Sequence, residues 1–298
     1  MKKQSERLTT EKIRGQGPKE IFGESAKMHD TSVNTVSKII FETLTTDFSN
    51  LKFRFRDSID KKEINEKLHS VDSRLGVTLF VEKSSIKPDG GVIEVEDKQG
   101  NWRIVLVCEA KHQGKDIENI SKGILVGKKG NQELMLAGNA IERSHKNINE
   151  IRNIMIDEKH FPYVLFLQGS NFLTEPIKVN RPDGTEVVLQ HNIGSLNRLD
   201  RLTAANYGLP VNQNNCENIF VSVDEQSVML QAVSIYAKPT EWAAEEMFTI
   251  MWDVACTSLK ILGLGFDSAE VAPLVLEMEN EGISPNYIDI AGEDETEN

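Results

Sequence analysis

Asp89, Glu109 and Lys111 have the types and the spacing to do hydrolytic chemistry together. Residues 87–111 read Lys87-Pro88-Asp89-Gly90-Gly91, then Val92-Ile93-Glu94-Val95-Glu96, a polar turn, and a β-prone run from Trp102 to Lys111. Successive side chains of a strand point to opposite faces, so Glu109 and Lys111 share a face and the small Ala110 turns away between them. If the two runs pair as a hairpin, Asp89 reaches the same spot. Two carboxylates and a lysine converging there can hold a hard divalent cation and assist attack on a phosphate.

The triplet is a weak signal by itself. Asp60-Lys61-Lys62, Glu96-Asp97-Lys98 and Asp157-Glu158-Lys159 fit it too, and a second Pro-Asp-Gly stands at 182–184. Metal chemistry needs ligands held on a rigid element. Asp97 and Lys98 fall in a hydrophilic turn, the 60–62 and 157–159 triplets lie in polar segments, and Glu186-Val187-Val188 lacks the lysine. One arrangement survives: Asp89 with Glu109 and Lys111. The pattern alone leaves a second possibility open, in which Asp89 serves only its turn and Glu109 and Lys111 end a solvated strand.

The elements that must position this set are those of an α/β domain with a mixed sheet. Asp97 to Asn101 has the composition of the hairpin turn. Helical spacing of Val33, Val36, Ile39, Ile40 and Leu44 predicts one or two helices between Ile21 and Phe48. Further helices are expected over 64–71, 117–126, 132–156, 197–206 and 242–262. Strands are expected at 51–56, 79–81, 163–167 and 228–236, with a hairpin from 177 to 189 around Arg181-Pro182-Asp183-Gly184. Gly138 makes the start of the 132–156 helix ambiguous.

Hydrophobic residues make up 39% of the chain and charged residues 27%, the balance of a globular protein with a sizeable core. No apolar run approaches the roughly 18 residues of a membrane span, and the polar N-terminus does not read as a secretory signal. The expected compartment is therefore the cytoplasm, with Cys108, Cys216 and Cys256 as buried, reduced thiols. The net charge of −12 is unevenly placed: the ten acids after Lys260, with no Lys or Arg among them, account for all but −2 of it. Residues 1–19 carry a local +4. A near-neutral body with a basic arm can meet a polyanion, because local field steers it.

Long blocks beyond the site resemble the type II restriction endonucleases of the PD-(D/E)xK superfamily. They include Phe55-Arg56-Asp57-Ser58-Ile59, the run from Ser84 to Gly91, and Glu109-Ala110-Lys111-His112-Gln113-Gly114-Lys115-Asp116-Ile117. They continue with Ala137 to Ile148, Phe161 to Leu167 and Leu196 to Gly208. The blocks keep their order over most of residues 20–263. The resemblance implies a restriction-endonuclease-like α/β fold, with a central mixed five-stranded sheet flanked by helices and arms that embrace DNA. Composition and charge set off a mobile basic arm (1–19) and an acidic tail (264–298), and the resemblance makes the part between them an endonuclease domain (20–263, with an extended arm at 171–194).

The resemblance further implies a homodimer that cuts both strands of double-stranded DNA within GAATTC with Mg²⁺ (Mn²⁺ substituting), beside a DNA methyltransferase that protects the same site. Asp89 and Glu109 would be metal ligands, Ala110 would lend its carbonyl, and Lys111 would be the catalytic lysine. Met135, Leu136, Ala137, Gly138, Asn139 and Ala140 would run extended through the major groove. Asn139 suits adenine, and Arg143, Arg198 and Arg201 suit purine N7 and O6. Glu142 would orient these groups and Lys146 would contact phosphate.

Leu136 stands where the family pattern has a small alanine, Gln190-His191 where it has an acid and a tyrosine, and the tail has no counterpart. Two other functions keep parts of the same set. A repair or junction nuclease would use Asp89, Glu109 and Lys111 without base-reading residues, and a non-cleaving DNA-binding protein would use the reverse.

Overall fold

A computed structural model describes residues 24–77, 84–124, 138–190, 197, 199–202 and 211–265, with backbone alone at 24–27, 138–140 and 142. Its centre is a five-stranded sheet built from β1 (Phe53–Arg56), β4 (Val92–Glu96), β5 (Trp102–His112), β6 (Tyr163–Gln168) and β11 (Ser234–Lys238), in that spatial order. β1, β4 and β5 are antiparallel neighbours, whereas β5–β6 and β6–β11 are parallel. The sheet is therefore mixed, as expected. Asp97 closes the β4–β5 turn by accepting from the backbone N–H of Gln99 (2.9 Å) and Asn101 (2.8 Å).

Helices cover both faces. On one lie α1 (Glu24–Asp47) and α5 (Ala244–Ile261). α1 buries Val33, Val36, Ile40 and Leu44, a three–four spacing that makes a single apolar stripe. These pack with Cys108 and Ala110 of β5, Val164 and Phe166 of β6, and Met247, Met251 and Val254 of α5. Each of the Val, Ile, Leu, Phe and Met side chains contributes roughly 1.5–3 kcal/mol by leaving water. On the other face lie α2 (Lys61–Val71) and α4 (Gly138–Ile154). Ile141, Ile148 and Ile151 of α4 meet Val107, Tyr163, Leu165 and Leu167 of the sheet, with Leu199 and Leu202 of the short helical stretch beside them.

Outside the sheet, α3 (Asp116–Ser121) follows β5, and β2 (Ile59–Asp60) pairs with β3 (Ser85–Ile86). The expected hairpin is present as β7 (Ile177–Asn180) and β8 (Glu186–Leu189), with Val179 and Leu189 packed on Ile120 and Leu173. β9 (Ile219–Val223) and β10 (Gln226–Leu230) form a hairpin of their own.

Several expected elements change. The strand expected over 228–236 is two strands in different sheets: the chain breaks between Leu230 and Ser234, where the Gln231 amide donates to the Met155 carbonyl (3.0 Å) and its own carbonyl accepts from Arg152 (2.8 Å). The helix expected to reach Val126 ends at Ser121, with Gly123 in the left-handed region (φ +75°) just beyond. Gly138, Asn139 and Ala140 are helical, not extended, because glycine weakens a helix interior far more than its open first turn. The strand expected at 79–81, residues 1–19, and the tail from 266 onward lie outside the described residues, as do Met135, Leu136, Ala137, His191 and Arg198. Cys108 and Cys216 are buried thiols, but Cys256 is only half-buried. No described helix is long and apolar enough to cross a membrane.

Candidate active site

The site lies where β5 runs out beside β6, at the carboxyl end of the parallel pair, the usual place for ligands in open α/β sheets. Alternation along β5 turns Cys108 and Ala110 toward α1, while Glu109 and Lys111 face the α4 side beside Leu165 and Leu167. The preceding Pro-Asp-Gly-Gly segment brings Asp89 against this strand. Gly90 donates its backbone N–H to the Cys108 carbonyl at 2.9 Å, and a Cβ at Gly90 would lie 2.5 Å from that of Cys108. Gly91 takes a positive φ of +74°, which glycine adopts without strain. The two glycines thus perform separate tasks, one allowing close approach and one turning the chain into β4.

Lys111 Nζ gathers three oxygens. It donates to Asp89 Oδ2 at 2.6 Å, to the Ala110 carbonyl at 2.7 Å, and to Glu109 Oε1. The Ala110 N–H donates to Asp89 Oδ2 at 3.2 Å, and Asn34 Nδ2 reaches the Asp89 carbonyl at 3.4 Å. Glu109 is 1% exposed and accepts from Asn147 Nδ2 on α4 at 2.8 Å. The possibility that these residues merely end a solvated strand is excluded by this convergence.

Burial holds the Glu109 carboxyl above its ordinary range; Lys111 and Asn147 draw it back, and Asp89 adds to the rise. Burial opposes the charge on Lys111, yet Glu109 and Asp89 outweigh it and its pKa is raised. On α1, Asp30 is pushed up to about 7, first by burial and then by Asp89, with Lys111 opposing. A negative, partly dry pocket of this kind favours a cation.

Two carboxylates and a carbonyl around one cation make a hard-oxygen set that fits a divalent ion, which Asp89, Glu109 and the Ala110 carbonyl would hold. Among the described residues no three His, Cys, Asp or Glu side chains gather to hold a metal. The competing triplets have structural partners instead. Lys61 pairs with Glu150, Asp157 with Lys67 (2.7 Å), and Glu158 with Arg103 (2.7 Å). Asp183 caps its own turn by accepting from Thr185 N–H at 2.9 Å.

Among the residues expected to contact DNA, Arg143, Lys146 and Arg201 are exposed. Arg201 lies near enough to α4 to help lower the pKa of His145, after burial and Arg152. The two segments stand together, since Leu199 and Leu202 share one buried cluster with Ile141 and Ile148 of α4. Gly138, Asn139, Ala140 and Glu142 belong to α4, the first three in its opening turn. Asn34, Asp30 and Asn147 were missed in the sequence. Asn147 carried one usable signal, its position one helical turn beyond Arg143.

A mixed five-stranded sheet between helices, with the Asp89, Glu109 and Lys111 set at the end of its parallel strands, defines a restriction-endonuclease-like protein. A family model described as "Restriction endonuclease EcoRI" matches residues 15–269. The chain is 60% identical over 264 residues to the type II restriction enzyme EcoRI of Escherichia coli, covering 88% of this chain and 95% of that protein. It is 52% identical over 266 residues to the type II restriction enzyme RsrI of Cereibacter sphaeroides, covering 89% and 96%. The chain belongs to the EcoRI restriction endonuclease family. Enzymes of this type generally depend on a divalent metal and bind double-stranded DNA.

Proposed function

We propose that this type II restriction endonuclease acts as a homodimer, cutting both strands of double-stranded DNA at GAATTC with Mg²⁺ and leaving 5′-phosphate ends. The observation that carries the chemistry is the meeting of Asp89, Glu109 and the Ala110 carbonyl around the Lys111 ammonium. Asp89, Glu109 and the Ala110 carbonyl would hold the metal. When bound, it neutralises charge on the phosphate and lowers the pKa of water. Lys111 then turns its ammonium to the substrate, orienting the attacking water and offsetting charge in the transition state. The water oxygen gives up a proton as it bonds to phosphorus, the bond from phosphorus to the 3′ oxygen breaks, and that oxygen takes up a proton.

Arg143 and Arg201 supply forks for purine edges, helped by Asn139, Arg198 and the backbone of 135–140; Glu142 orients them and Lys146 meets phosphate. The exposed face of α4 and its closeness to Arg201 support this reading. A palindrome suits a two-fold dimer, since the symmetries coincide. The excursion at 171–194, which contains the β7–β8 hairpin, and residues 1–19 serve as arms around DNA. Action in the cytoplasm then requires a companion methyltransferase, because an N6-methyl group blocks the reading edge of adenine.

Digestion of a plasmid with Mg²⁺ followed by sequencing of the ends tests this. Breaks confined to GAATTC are expected. Cutting that depends on branched structure would support a junction nuclease instead, and an inert protein that still retards GAATTC duplex would be a binder.

A further inference from the structure

We propose that Asn147 is a positioning residue that ties the orientation of the Glu109 carboxylate to the seating of α4 on DNA; this rests on the reading of α4 as a DNA-contacting helix. Glu109 Oε1 accepts from both Asn147 Nδ2 (2.8 Å) and Lys111, while Oε2 faces the Asp89 N–H at 3.4 Å. When Lys111 leaves for the substrate, the Asn147 amide remains as the side-chain donor that fixes the plane of the carboxylate. Glu109 is 1% exposed, so water cannot readily take over that bond.

Arg143 and Asn147 are four residues apart, so they lie on one side of α4, about 6 Å apart along its axis. The adjoining side, Ile141, Ser144, Ile148 and Ile151, is buried against the sheet, and Asn147 stands at its edge. The helix therefore responds to force at Arg143 as a packed rod. A shift of a few tenths of an ångström there arrives at the Asn147 amide, and hydrogen bonds weaken steeply once misaligned. A wrong base pair that seats α4 poorly disturbs Glu109, and so slows cleavage beyond what it costs in binding.

The test compares wild type, Asn147→Ala and Asn147→Asp on a GAATTC duplex and on the same duplex with one base pair changed. Affinity is read by fluorescence anisotropy without divalent metal, cleavage as a single-turnover rate with Mg²⁺, and folding by Tm. Asn147→Ala should cut GAATTC about 10–100-fold more slowly, the usual effect of removing a partner of a metal ligand, with Kd within about threefold of wild type. Its extra rate penalty for the changed base pair should shrink. Asn147→Asp, which sets an acid against Glu109, should be at least as slow.

A wild-type rate for Asn147→Ala overturns the inference. So does an equal loss of affinity and rate, which makes Asn147 a plain DNA contact, or equal slowing on both duplexes in step with Tm, which makes it structural. A wild type that fails to cut removes the underlying reading and the inference with it. A wild type that cuts beside an unaltered variant removes the inference alone.

Discussion

Lys111 Nζ lies 2.6 Å from Asp89 Oδ2, and the same ammonium also holds Glu109 and the Ala110 carbonyl. One side chain thus occupies the centre of the oxygen set that a divalent ion would use. Lys111 and a bound metal would therefore compete for these oxygens before substrate arrives.

That competition predicts how Lys111→Ala behaves without DNA. The variant should be destabilised by about 3–5 kcal/mol in a chelator, since a buried pair loses one partner. Ca²⁺ should then restore more Tm to the variant than it adds to wild type, because binding to the folded state alone stabilises it, by about 1.4 kcal/mol at ten times Kd. Equal shifts in calorimetry would show that the ammonium and the ion do not share a place.

Gly90→Ala tests the approach of the Asp89 segment to β5. The added Cβ would stand 2.5 Å from Cys108 Cβ and 2.9 Å from Val33 Cγ1, so the chain must move away. Overpacking of this kind costs about 1–3 kcal/mol. Cleavage should fall further than stability explains, by at least about 100-fold, because a displacement near 1 Å misplaces a ligand. A variant with lower Tm and a normal cleavage rate would show that Asp89 is not placed by this contact.

Asp116 gives a pH signature away from the ligands. It is buried at the start of α3, and burial raises its pKa from an ordinary 3.8 to about 6, against a lowering hydrogen bond from Ser170 at 3.2 Å. The folded state holds this proton more tightly than the unfolded chain. Its contribution is therefore full below pH 3.8 and is lost as pH rises through 6. Relative to Asp116→Asn, wild type should gain on the order of 2–3 kcal/mol as pH falls from 7 to 4. Parallel stability curves across that range would show that the burial penalty is absent.

The 87–111 hairpin was legible because strand period and turn chemistry are local. Val92 to Glu96 and Trp102 to Lys111 alternate toward two buried faces, and Asp97 closes its own turn. Asn147 was not legible: its bond to Glu109 spans 38 residues and exists only once α4 packs on the sheet. The two-strand path through 226–238 was hidden for a related reason. Gln231-Ala232-Val233 continues the apolar run between the two strands, and only the partners of Gln231 show that the chain changes sheets there. Gly138 misled in another way, since its cost depends on whether it stands inside a helix or at its first turn, which spacing alone does not settle.

The claim that Asp89, Glu109 and Lys111 form a metal-dependent cutting site is tested most directly by Glu109→Gln on an end-labelled GAATTC duplex. Single-turnover cleavage with Mg²⁺ should fall by well over about 100-fold, more than loss of a ligand's partner alone brings. Binding without metal should stay the same or tighten, as one negative charge beside the phosphates is gone. Cleavage near the wild-type rate would contradict it.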